Sequence, residues 1–167
     1  MPPKTKKRLC LVILLAVAAA AVLFLLFRPR TFPQVMGRDY DPSRMQEISV
    51  YLSSLDRQTP SREITLSPED PAAKDLLALL ESHAYPPVYE WGAAEGHGVA
   101  LDYMVSLCMV FQREEDGYPA ALLAFDGYPQ IRISGPNTSM GTYKLSQAAQ
   151  QELLDLLLKQ PYEEQTQ

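Results

Sequence analysis

The chain has 167 residues, 47% of them apolar, and a formal net charge of −5. That length accommodates one domain with its own core and a short appendage. Four basic residues, Lys4, Lys6, Lys7 and Arg8, stand together at the start; the rest of the chain has eleven basic against twenty acidic residues, a net −9. Such a surface repels phosphate backbones and anionic headgroups, which excludes nucleic acid as a natural partner.

Behind the basic tail, residues 9–27 read LCLVILLAVAAAAVLFLLF, with no charge, proline or glycine. Nineteen helical residues rise about 28 Å, close to the hydrocarbon thickness of a bilayer. This predicts a cytoplasmic tail over 1–8 and a single transmembrane helix over 9–27. The four basic residues before the run, against Arg28 and Arg30 after it, place the N-terminus in the cytoplasm and the remainder outside the cell membrane. The run ends in Leu-Phe-Arg-Pro-Arg, without a small-residue cleavage site, so it is expected to stay as a signal anchor.

Residues 28–46, broken by Pro29, Pro33, Gly37 and Pro42, are expected to form a juxtamembrane linker. An extracytoplasmic domain then spans 47–160, with a tail over 161–167. Alternating Ile48, Val50 and Leu52, then Ile64 and Leu66, predict two strands of one hairpin. Asp70 and Pro71 open a helix with the stripe Ala73, Leu76, Leu77 and Leu80, ended before Pro86-Pro87. Ser146 opens a second helix, to about 159, with Ala149, Leu153, Leu156 and Leu157 on one face. Between the helices, apolar residues hold every odd position from Val99 to Phe111, the pattern of a long strand.

Asp-Gly-Tyr-Pro occurs twice, at 116–119 and 126–129. Asp-Gly between apolar runs is a hairpin signal, because both turn residues tolerate positive φ. With two-residue turns at both places, Phe111 faces Leu122, Met109 faces Ala124, Leu122 faces Ile131 and Ala120 faces Ile133. The even residues of 118–125 then join the odd residues of the flanking strands on the core face. The opposite face would carry Met104, Ser106, Cys108, Val110, Leu123, Phe125 and Tyr128, and is too apolar to be fully wetted. Either the N-terminal hairpin and linker cover it, or it meets a partner.

No spacing supports catalysis or metal binding. Asp102 and Ser106 lie about 13 Å apart along a strand, too far for a relay with His97. His83 and His97 belong to no ligand set, and Glu95 with His97, or Glu114 to Asp116, fit a loop and a hairpin tip as well. Cys10 lies in the apolar run and Cys108 in a strand, so no bridge joins them. No cofactor is expected. The residues best suited to a partner contact are Tyr85, Tyr89, Glu90 and Trp91, in or beside the long irregular stretch, with Phe125 and Tyr128 on the meander.

The basic tail, one span, Phe32-Pro33, Ile48-x-Val50 and Thr142-Tyr143-Lys144-Leu145 before a helix together resemble small membrane-anchored proteins of unassigned function in Gram-positive bacteria. That resemblance implies an extracytoplasmic α+β domain and brings no catalytic residue. The expected architecture is α+β: a transmembrane helix, then an antiparallel sheet of about five strands with two helices on one face. The expected function is a non-enzymatic, membrane-tethered recognition or regulatory module with a protein partner in the envelope. A structural subunit of a membrane complex and a cell-envelope hydrolase are the alternatives.

Overall fold

The computed structural model describes residues 3–37, 40–54, 60–88, 101–111, 120–135, 138 and 141–165. Helix α1 runs over Pro3–Phe27, and its side chains are described from Val12 onward. All of residues 12–27 are exposed. Among the described residues, no helix is long and apolar enough to cross a membrane. The described apolar part of α1, 12–27, rises about 24 Å, a little short of the usual span.

The segment expected to be a linker is part of the folded domain instead. Arg30 pairs with Tyr85 through two backbone hydrogen bonds of 3.1 and 2.8 Å. A short helix, α2 (Phe32–Met36), buries Phe32, Val35 and Met36, and Gly37 turns the chain with φ 85°. Pro33 stands in the first turn, where a missing N–H leaves no acceptor unserved, so it begins this helix where the sequence suggested a break. The Phe32 ring lies 5.3 Å edge-on to Tyr40 and 5.7 Å from Tyr85; Tyr40 meets Phe111 at 5.9 Å. The Asp41 carboxylate accepts from the Ser43 N–H at 2.9 Å and starts a 3-10 turn, Pro42–Arg44, that feeds the first strand.

That strand, β1 (Met45–Ser54), is followed by β2 (Ser61–Leu66), helix α3 (Pro71–Ser82), β3 (Tyr103–Phe111), β4 (Ala120–Phe125), β5 (Gln130–Ser134), β6 (Gly141–Lys144), helix α4 (Gln147–Leu158) and a three-residue β7 (Glu163–Gln165). The strands form one sheet in the order β6-β5-β4-β3-β1-β2-β7, and every neighbouring pair is antiparallel. The fold is α+β, with six strands and the short β7 where about five were expected. β1 lies against β3 in the middle of the sheet, so the N-terminal hairpin extends the sheet and does not cover its second face.

Burial alternates along the strands as a one-sided core requires. Ile48, Val50, Leu52, Ile64, Val105, Leu107 and Met109 are buried with Leu76 and Leu80 of α3 and Leu153 and Leu157 of α4 in one cluster. Ser146 caps α4 by accepting from the Ala149 N–H at 3.2 Å. Asp70 occupies the position before α3, but its carboxylate turns back to the Ser67 N–H at 2.7 Å and leaves the first turn uncapped by a side chain.

The meander departs from the expected register. β3 and β4 pair Met109 with Ala121 and Leu107 with Leu123; β4 and β5 pair Leu123 with Ile133 and Ala124 with Arg132. Both registers differ by three residues from two-residue turns, so the odd residues of β4 face the core: Ala121, Leu123 and Phe125 are buried, and Leu122 is 45% exposed. Two odd shifts cancel for β3 and β5 and invert only the strand between them. In AALLAF both faces are apolar, so alternation in β4 did not oppose the inversion.

Candidate functional site

The residues expected to meet a partner fall into three groups. Tyr85 and Phe125 belong to the core: Tyr85 is fully buried, with its hydroxyl donating to the Leu80 carbonyl at 2.8 Å, and Phe125 is buried on the helix side of the sheet. Burial pushes the Tyr85 phenol well above its ordinary range. Tyr128 is 45% exposed at the β4–β5 loop. Tyr89, Glu90 and Trp91 lie outside the described residues, as do Glu95, His97 and Asp116-Gly117.

The second Asp-Gly pair is held from the side by α4. Gln150, fully buried, accepts from the Gly127 N–H at 3.0 Å through its carbonyl. Its amide nitrogen donates to the carbonyls of Tyr128, Gln130 (3.3 Å) and Leu145 (3.1 Å). Gln147 donates to the Gly127 carbonyl at 3.1 Å. Gly127 has φ 93°, a conformation that a Cβ would penalise. The loop is longer than a two-residue turn, and the two glutamine side chains supply polar partners that ladder pairing would otherwise give it.

Among the described residues, no helix or strand packs on the face of the sheet away from α3 and α4. Across its middle row lie, as direct neighbours, Glu63, Tyr51, Ser106, Ala124, Arg132 and Thr142. The adjacent row runs Thr65, Ser49, Cys108, Leu122 and Ser134. Tyr51, Met104 and Leu122 are each between 39% and 45% exposed, which is unusual for side chains of this size on central strands. The second face therefore holds Leu122 and Ala124 in place of the expected Leu123 and Phe125. The Tyr51 hydroxyl donates to the Glu63 carboxylate, which holds the phenol above its ordinary value. The Cys108 thiol is also raised, chiefly by burial and then by Glu47, so it is a poor nucleophile at neutral pH.

No family model, curated protein or solved structure matches this chain.

An open groove of about 560 Å³ between α3 and α4 is lined by Asp75, Leu79, Ser82, Glu152, Asp155 and Lys159 among others. Its carboxylates favour cationic groups in general, and among the described residues no cluster of three His, Cys, Asp or Glu is placed to hold a metal ion. Asp102 is exposed before β3 and Ser106 half-buried on its outer face. Two features had no signal in the sequence. Gln150 sits between Ala149 and Gln151, where a polar residue reads as the wet side of a helix. Arg62 places its guanidinium 4.1 Å over Tyr162 and 5.7 Å over Tyr103, partners that only the fold brings to it.

Proposed function

We propose that this protein is a single-pass membrane-anchored recognition module, with its N-terminus in the cytoplasm and its α+β domain outside. The observation that carries this reading is the exposure of α1. Residues 12–27 are apolar and exposed without interruption, with Phe24 at 71% and Leu14 at 69%. In water, so large an apolar surface is strongly unfavourable; in lipid it is the expected state. The helix backbone continues to Pro3, 25 residues in all, and the uncharged sequence begins at residue 9. A helix of that composition satisfies its own backbone groups in the bilayer.

The domain works by binding and not by chemistry, in this reading, through the open side of its sheet. Support comes from the large side chains Tyr51, Met104 and Leu122, each 39% to 45% exposed on strands of this sheet. Tethering confines such a surface to two dimensions and raises its effective concentration toward neighbours in the same membrane. The same face suits a permanent subunit of a membrane complex, and the two differ in whether the contact dissociates.

The test is fractionation of cells followed by protease treatment of intact spheroplasts. The full-length chain is expected in the membrane fraction, resistant to carbonate extraction, with residues beyond 30 degraded by added protease. Recovery of intact chain from the soluble fraction, or protection of its C-terminal part, overturns the proposal.

A further inference from the structure

The open sheet face is complementary to itself, and the geometry points to a second copy of this chain as its occupant. This deepens the binding reading given above by naming the partner. Counting outward from β3, strands β1 and β2 lie one and two places to one side, and β4 and β5 one and two places to the other. A two-fold axis lying between two stacked sheets, close to the direction of β3, sets β2 of one copy over β5 of the other and β1 over β4. Stacked sheets keep their strands within about 30° of one another, which such an axis permits.

The strand registers then decide which side chains meet. In the middle row, Glu63 on β2 and Arg132 on β5 are equally distant from β3, so each falls opposite the other across the interface. Glu63 is also hydrogen-bonded to Tyr51, and a carboxylate accepts up to about four donors. In the same row Tyr51 lies over Ala124, a large side chain over a small one. In the next row Leu122 lies over Ser49, again large over small. Ser106 and Cys108 sit on the axis itself, and their small volumes let the two sheets approach. An axis perpendicular to the strands would instead set acid on acid and base on base.

Size and symmetry agree with this. Five strands about 4.8 Å apart and about 25 Å long give a face of roughly 600 Å² per copy, at the lower bound of specific interfaces. A two-fold contact uses one patch twice, which is the commonest way a chain pairs with itself. Heights along a two-fold axis are conserved, so with that axis along the membrane normal both α1 helices leave the pair at the same height, as two chains in one bilayer must.

The experiment uses the full chain in mild detergent with Cys10→Ser, so that Cys108 is its one thiol. The dimer is read by sedimentation equilibrium in that detergent, and protection of Cys108 from a monofunctional maleimide locates the contact, since stacked sheets about 10 Å apart cover a thiol on the axis. A population of twice the monomer mass, with Cys108 protected, is expected. Arg132→Glu and Glu63→Arg should each lower its yield about tenfold, and the double reversal should restore it to within about twofold. If a reversal unfolds the chain, Leu122→Ser takes its place and must lower the yield to the same degree. Absence of the dimer, indifference to these changes, or failure of the double reversal to restore a yield lost by the single ones overturns the proposal. Fractionation tests the anchor separately, so the two claims fail independently.

Discussion

The amide of Gln150 lies out of water between α4 and the β4–β5 loop, where it serves the Gly127 N–H and the carbonyls of Tyr128, Gln130 and Leu145. Replacing it by leucine keeps most of the volume and strands those groups in the core. Gln150→Leu should cost about 3 kcal/mol in urea unfolding, well beyond the loss from the exposed neighbour Gln151→Leu. Nothing in the local sequence separates these two glutamines; only the loop folding over one of them does. The buried phenols give a second expectation. Burial raises Tyr85 above its ordinary value of 10.0, and burial followed by the hydrogen bond to Glu81 raises Tyr40 likewise. The folded state therefore favours the protonated phenols. Their contribution is fully present below pH 10 and is lost above it, as the unfolded chain ionises first. Tyr40→Phe with Tyr85→Phe should flatten the alkaline side of a stability–pH curve followed by thermal melting.

At the scale of the elements, the sequence was most informative where apolar residues alternate with polar ones. The stripe of α3 lies in the core as its spacing predicts, as do Ala149, Leu153 and Leu157 of α4, whereas Leu156 is only partly buried and Leu154 takes a core place; β1 to β3 turn the expected side inward. β4 was not legible in the same way. Its six residues are all apolar, and the register depended on the length of a loop whose polar partners, Gln147 and Gln150, come from a helix later in the chain. A pair of substitutions reads that register directly. Leu123→Ala should cost about 3 kcal/mol, as a buried leucine on the helix side does. Leu122→Ala should change the unfolding free energy of a single copy by less than about 0.5 kcal/mol. The two-residue-turn register predicts the reverse order. Tyr85 and Phe125 belong to the same lesson, because an aromatic suited to a contact surface is equally suited to a core, and burial alone distinguishes them.

For the molecule as a whole, the boundary between appendage and domain lies earlier than the prolines suggested. Phe32, Val35 and Met36 are each buried to within 3% of completely, and Tyr40 joins them by ring contacts. A fragment beginning at residue 47 lacks these side chains and leaves Tyr85 and Phe111 beside empty space. Fragment 29–167 should melt cooperatively when followed by circular dichroism, whereas fragment 47–167 should show no transition or aggregate. Segments rich in proline were read as connectors because proline breaks regular structure; here Pro33 and Pro42 each stand at the start of a helical turn, where it is tolerated.

Between the last residue of α1, Phe27, and the first backbone pair of the domain, Arg30 with Tyr85, only Arg28 and Pro29 intervene. From Phe27 to Arg30 is three Cα–Cα steps, about 11 Å at full stretch. With α1 in lipid, as proposed, the globular part rides on so short a leash that it skims the headgroups and cannot tumble freely above them. A partner held in the same membrane would then meet it sideways, and inserting a flexible Gly-Ser spacer after Pro29 would widen its sweep without touching a single contact inside it.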